Sequence, residues 1–309
     1  MITIVCESAL EILSDDAALS RLGDPCQASN LEWSTFSWSD IRELGRYIAF
    51  DERRPIHVLV DRPVDRVHSD RVVSHVWSGP IPPGSLYHLV PGVLVASPGF
   101  CYLMASGSQS KPRAISIGME CVGLYGRRRD ARGFSDRNQL MTKEEELAEY
   151  LEGAKGCYGC RNAIRFLPYV MERSRSPMET VMVLALTLPA REGGFGLPRP
   201  ELNVTIKPRP DEFALSQRSQ YEVDACWERQ RLVLEYNSYS DHLSRESLDR
   251  DAMKGNSLRS LGWKVLVVTR AQLEGDALTV LAYQVARGLG VKRPHPKAEE
   301  RDRLLDELL

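Results

Sequence analysis

The chain has 309 residues, a formal net charge of −2, 43% hydrophobic and 27% charged residues. That length allows one or two hydrophobic cores, with two domains the expectation, and the composition excludes a mainly disordered or fibrous chain. The near-zero charge excludes a globally basic, nucleic-acid-coating protein and leaves room only for a local basic face.

Taken in chain order, the opening MITIVC run is too short and too early for the apolar region of a signal peptide. No stretch of the sequence approaches the ~20 apolar residues of a membrane span, so no membrane partner and a cytoplasmic location are expected. Ile41, Leu44 and Ile48 follow the N-cap candidate Ser39 at helical spacing. From 55 to 105 the texture turns β-rich: His57 to Val60, Arg71 to Trp77 and Val93 to Ala96 are short extended runs divided by Pro, Gly and Ser. Residues 1–140 therefore read as a small α/β accessory domain. It contains a polar, Arg-rich stretch from Arg127 to Asn138 that reads as an exposed loop.

A helix is predicted from Thr142, where Glu145 stands at capping-box spacing, and residues 141–175 read as a helical connector. Residues 176–290 read as helix 177–188, strands 203–207, 220–227 and 231–236, helix 244–261, strand 263–268 and helix 271–288. That order is αβββαβα. Residues 291–309, with Leu304, Leu305, Leu308 and Leu309 among charges, predict an amphipathic tail helix.

The chemistry concentrates in Tyr221-Glu222-Val223-Asp224-Ala225-Cys226-Trp227 and Leu232-Val233-Leu234-Glu235-Tyr236-Asn237. With Arg229 and Gln230 at the turn tip, the antiparallel ladder pairs 227 with 232 and sets Asp224 opposite Glu235, ~5 Å apart on one face. Two like charges there repel unless one takes a proton or a cation lies between them, and carboxylate oxygens suit Mg²⁺. An odd-length turn gives the other register, in which the two side chains leave on opposite faces and are solvated separately. Glu235 follows a continuous apolar run, which puts its charge at a desolvated edge.

Asp224 in Val-Asp, Glu235 in Leu-Glu-Tyr-Asn, His242, then Asp251 and Lys254 on the following helix and Gly262-Trp263-Lys264-Val265-Leu266 together resemble the Vsr-like branch of the PD-(D/E)XK endonuclease superfamily. The resemblance covers about 110 residues and implies a restriction-endonuclease-like αβββαβ core with a mixed sheet. It also implies a Mg²⁺- or Mn²⁺-dependent endonuclease acting on DNA, in which Asp224 and Glu235 bind the metal and His242 assists the attacking water or the leaving group. The first helix of the family often supplies an acid, here Glu179. A capping box of Ser176, Pro177 and Glu179 accounts for the same residue without catalysis.

The chain departs from the family pattern at two places. Asn237 stands where relatives carry an acid or a lysine, and the usual histidine position falls on Asp241, one residue before His242. Asn237 can ligate through its carbonyl oxygen but neutralises no charge. These departures support an alternative: a catalytically degenerate nuclease fold kept as a DNA-binding module of an antitoxin-like or transcriptional regulator. Lys254 and Arg250 are the candidate phosphate contacts, set against solvated lysine and a Glu246–Arg250 surface pair. His57 to Val60 and Pro91 to Pro98 lie in a region that resembles the part preceding Vsr-like units in AbiEi-type antitoxin and regulator proteins. That implies a protein partner in a toxin–antitoxin or defence setting.

Two further motifs are less specific. Cys157-Tyr158-Gly159-Cys160 is a solitary C-x-x-C without the second ligand pair of a structural zinc site, so reduced thiols on a helical turn are expected. Gly193-Gly194-Phe195-Gly196 lacks the ending of a phosphate loop and reads as a flexible connection.

Overall fold

The computed structural model describes residues 1–20, 22–26, 38–45, 48–128, 133–216, 218–237, 245–292 and 295–309, with the backbone alone described for 245–248. The chain divides into two units, Met1–Val170 and Met171–Leu309. Both are mixed α/β.

In the first unit, β1 (Ile2–Ile4), β2 (Ile56–Val60), β3 (Val72–Val76), β4 (Leu86–Val90) and β5 (Val93–Ala96) form a five-stranded sheet in the order β3-β2-β1-β5-β4. Strand β1 is fully buried and runs parallel to β5 and antiparallel to β2, so the opening MITIVC run is the middle of the sheet. Helices α1 (Cys6–Leu13), α2 (Asp16–Ser20) and α3 (Trp38–Leu44) follow β1, and α3 buries Ile41 and Leu44 as the spacing predicts.

Helices α4 (Pro98–Ser108) and α5 (Lys111–Cys121) carry no apolar stripe that the sequence displays. Nine consecutive residues of α4, Pro98 to Ser106, are buried, so it is apolar on every side and shows no 3.6-residue contrast. Its start is nevertheless encoded locally: Ser97 accepts a hydrogen bond from the Phe100 backbone N–H at 3.1 Å, and Pro98 takes the first helical position. A short hairpin of β6 (Tyr125–Arg127) and β7 (Phe134–Asp136) follows.

Helices α6 (Glu144–Gly153) and α7 (Cys160–Phe166) pack on α4. They belong to the first unit, where the sequence suggests a separate connector, because α4 is apolar enough to need covering on all sides. Helix α6 starts two residues later than predicted. The side chain that reaches back is Glu146, which accepts from the Lys143 N–H at 3.0 Å and the Thr142 hydroxyl at 2.9 Å; Glu145 does not fill that role.

The second unit is built on a four-stranded mixed sheet, order β11-β10-β9-β8. Its elements run α8 (Pro177–Thr187), β8 (Glu201–Ile206), β9 (Tyr221–Trp227), β10 (Leu232–Asn237), α9 (Arg245–Ser260), β11 (Lys264–Thr269), α10 (Gly275–Leu289) and α11 (Ala298–Leu308). Strands β8, β9 and β10 are successively antiparallel, and α9 carries the chain over to β11, parallel to β10. Ile206, Tyr221, Val223, Cys226 and Val233 of the sheet pack against Leu258 and Leu261. On α9, Gly255 and Leu258 are buried and Ala252 is exposed.

One expectation is corrected here by packing, and another, the amphipathic tail helix, is found as α11. The Gly193–Gly196 run is a fixed turn: the Phe195 N–H donates to the Ala185 carbonyl at 3.0 Å and its ring is fully buried. A Cβ at Gly194 would come within 2.2 Å of the Leu188 carbonyl, so the close approach of the two backbones requires glycine. The tail helix α11 packs on α8 and buries Leu304, Leu305 and Leu308, which makes it part of the second unit's core.

Candidate metal centre and active site

Strands β9 and β10 are joined by a tight 3-10 turn, Glu228–Gln230, closed by Arg231 at φ 47°. The ladder pairs Trp227 with Leu232, Cys226 with Val233 and Ala225 with Leu234. One further step in that register sets Asp224 level with Glu235 on adjacent strands. Both are half-buried, and the Tyr236 N–H donates to Asp224 Oδ2 at 2.6 Å.

Burial, and then the charge of Asp224, push the Glu235 carboxyl up to about 7. Burial likewise raises Asp224, against the opposing pull of the Tyr236 N–H and Lys254. Burial and the neighbouring Asp224 therefore make an ionised Glu235 costly at neutral pH.

A third carboxylate joins them from the first turn of α8. Ser176 caps that helix by accepting from the Glu179 N–H at 3.1 Å, so capping is part of this residue's role. The carboxylate itself is buried and accepts from Ser176 Oγ at 3.0 Å, the Arg175 N–H at 2.9 Å and Asn203 Nδ2 at 2.8 Å. Its proton affinity is raised by burial first and by Asp224 second, which ties the cap to the β9–β10 pair. Ser176→Ala is expected to lower unfolding free energy by about 1 kcal/mol in a urea titration. An unchanged midpoint would mean that the cap is dispensable.

Asn203 is a site residue that sequence reading misses. It lies in β8 at φ 47°, between the pairs Leu202–Ala225 and Val204–Val223, hence level with Asp224. Asparagine tolerates that left-handed backbone better than most residues, and there its amide reaches Glu179. The available signal was an amide in the apolar stretch Leu202-Asn203-Val204.

Lys254 of α9 sits on Glu235, with Nζ 2.6 Å from Oε2 and side-chain exposures of 23% and 18%. It is a partner of the carboxylate pair. Asn237, Asp251 and Lys254, with Glu235, line a cavity of about 100 Å³ floored by Leu258, Val265 and Val267. The charge of Asp251 adds to the load on Glu235. Arg250 is exposed on α9. His242 and the proposed Glu246 partner of Arg250 lie outside the described residues and side chains.

The donor set fits a hard divalent ion. Glu235 Oε1 is buried and has no hydrogen-bond partner among the described residues. An anionic oxygen without a partner is costly unless protonated or bound to a cation. Asp224 and Glu235 would hold such an ion, with the Asn237 carbonyl as a further oxygen. A larger open cavity of about 580 Å³ borders β8 and includes neither central carboxylate. Its arginines are engaged locally: Arg209 with Glu212 at 2.8 Å and Arg231 with the Leu261 carbonyl at 2.9 Å.

No family model matches the chain, and neither does any solved structure. The chain is similar to uncharacterized proteins of Mycobacterium tuberculosis strains CDC 1551 and H37Rv, 26% identical over 185 residues. Neither relative carries a functional name. The match covers 60% of this chain and spans 58% of the length of these relatives. Among the described residues, no helix is long and apolar enough to cross a membrane.

Proposed function

We propose that the second unit is a restriction-endonuclease-like core and that it hydrolyses DNA phosphodiester bonds with Mg²⁺ or Mn²⁺ held by Asp224 and Glu235. The observation that carries this reading is the meeting of three carboxylates and a lysine from four elements, with Glu235 Oε1 buried and unpartnered. The αβββαβ order over a mixed sheet, and the resemblance of the sequence to Vsr-like endonucleases, support it.

The ion, when bound, supplies Lewis acidity that activates a water and offsets charge on the scissile phosphate. The chain's own groups do the rest. Glu179 accepts three hydrogen bonds, which hold its carboxyl group in place beside Asp224. Burial and Asp224 raise its proton affinity, which makes Glu179 a candidate to move the proton. Lys254 carries three donors, one of them on Glu235 Oε2, leaving two for the charge that develops on the scissile phosphate in the transition state. His242, five residues beyond Asn237, is a second candidate to move the proton.

Plasmid nicking with Mg²⁺ tests the proposal. Asp224→Ala and Glu235→Ala are each expected to lower cleavage by roughly 10²–10³-fold or more and to abolish Mg²⁺ binding in calorimetry. Wild-type DNA binding without metal or cleavage, with log affinity falling as salt rises, would instead support the degenerate regulator module that Asn237 favours. The near balance of 14 Lys and Arg against 15 Asp and Glu over residues 177–290 makes DNA binding depend on arrangement. A protein partner in an antitoxin-like or defence setting rests on the resemblance of residues 55–105.

A further inference from the structure

The first unit contains a second constellation of metal-ligating side chains, unrelated to the carboxylates. Cys6, His57 and His75 offer one thiol and two imidazole nitrogens, all within 4.8 Å of one another, and all three residues are partly accessible to solvent. They are far apart in sequence, and sheet topology brings them together. Cys6 opens α1 directly after β1, and the Val5 N–H donates to the His57 carbonyl at 3.0 Å, which fixes that end of β1 against the start of β2. The His57 N–H in turn donates to Ser8 Oγ at 3.0 Å, pinning the first turn of α1. Parallel pairing of β2 with β3 sets Leu59 opposite His75, so His75 stands two residues along from the level of His57 on the same face.

The rings stack with centroids 5.1 Å apart, and His57 Nδ1 lies 3.0 Å from His75 Nε2. Ligand atoms sharing one tetrahedral Zn²⁺ at ~2.1 Å for nitrogen and ~2.3 Å for sulfur are separated by roughly 3.3–3.6 Å. Reaching that geometry means opening the nitrogen pair by a few tenths of an ångström and settling Cys6 Sγ, which lies within 4.8 Å of both nitrogens, onto the shared ion; hydrogen-bonded main-chain groups hold the three elements. The Glu7 carboxylate acts on both Cys6 and His75 and adds negative potential beside the cluster.

We propose that Cys6, His57 and His75 form a binding site for a borderline-soft divalent transition ion, Zn²⁺, with the fourth coordination position open. One thiolate and two imidazoles are a donor set that Zn²⁺ accepts and Mg²⁺ does not. Binding displaces the thiol proton to solvent, and the ring that donates the His57–His75 hydrogen bond shifts its proton to its other nitrogen, so that two metal bonds replace that hydrogen bond.

Titrating Co²⁺ into the metal-free full-length chain tests this, because a cysteine thiolate on Co²⁺ gives a near-ultraviolet charge-transfer band that carboxylate sites lack. The expected result is a band saturating at one ion per chain and bleached by Zn²⁺. It is absent in Cys6→Ser, retained in Glu235→Gln and in Cys157→Ser, and shifted to about 100-fold weaker binding in His75→Ala. Circular dichroism of each variant establishes that it is folded, and His75→Ala carries the test if Cys6→Ser is not. Absence of the band, a band that survives Cys6→Ser, or His75→Ala binding as tightly as wild type would each overturn the proposal.

Discussion

Replacing Glu235 by glutamine is expected to raise the melting temperature of the metal-free protein at pH 8 and to leave it nearly unchanged at pH 4.5. The ordinary glutamate value is 4.5, and burial beside Asp224 pushes Glu235 to about 7 in the folded state. Between those values the folded chain keeps a proton that the unfolded chain has released, so stability falls as pH rises. The stabilising contribution is full below the unfolded value and is lost as pH passes through the folded one. The gap corresponds to about 3 kcal/mol at most by pH 8, which glutamine recovers by removing the ionisation while keeping a hydrogen-bond acceptor for Lys254. Mg²⁺ should stabilise the wild type above pH 7 and not the variant. Parallel melting curves across pH 5 to 8, with or without metal, would show that Glu235 carries no such load.

The second large effect is expected at Lys254. Lys254→Met should slow Mg²⁺-dependent cleavage by roughly 10²–10³-fold, the cost of losing one fixed donor at a site of developing charge. It should leave the salt dependence of DNA affinity unchanged, because Nζ is engaged with Glu235 at 2.6 Å and only 23% exposed. A lysine that served only as a phosphate contact would behave the opposite way. Its loss would reduce the salt slope by about one and lower affinity with little effect on turnover. The same variant removes the cation beside Glu235, so half-maximal Mg²⁺ binding should move to higher pH, readable by calorimetry.

Much of the second unit is legible in the sequence because its elements differ in period. Tyr221, Val223 and Ala225 alternate with Glu222 and Asp224, Leu232-Val233-Leu234 is continuous, and the residues of α10 that face inward recur every three or four positions. The Asp224–Glu235 juxtaposition follows from those strands together with a short turn, since a hairpin's register is set by its connection. Helices α4 and α5 escape such reading, because α4 is apolar all round and presents no contrast.

By itself, the sequence determined the cap at Ser176 and the αβββαβ order and narrowed the β9–β10 carboxylates to two registers, all of which depend on neighbours along the chain or across one turn. Only the tertiary structure decided that Glu179 and Asn203 meet beside Asp224, that Lys254 lies on Glu235, and that Cys6 joins His57 and His75. It also decided that α6 and α7 cover α4, and that α11 closes the second unit's core. The physical reason is one of range. Periodicity and capping act over a few residues, whereas the charge felt by Glu235 and the ligands gathered around Cys6 depend on which strands lie side by side and how much water their packing excludes.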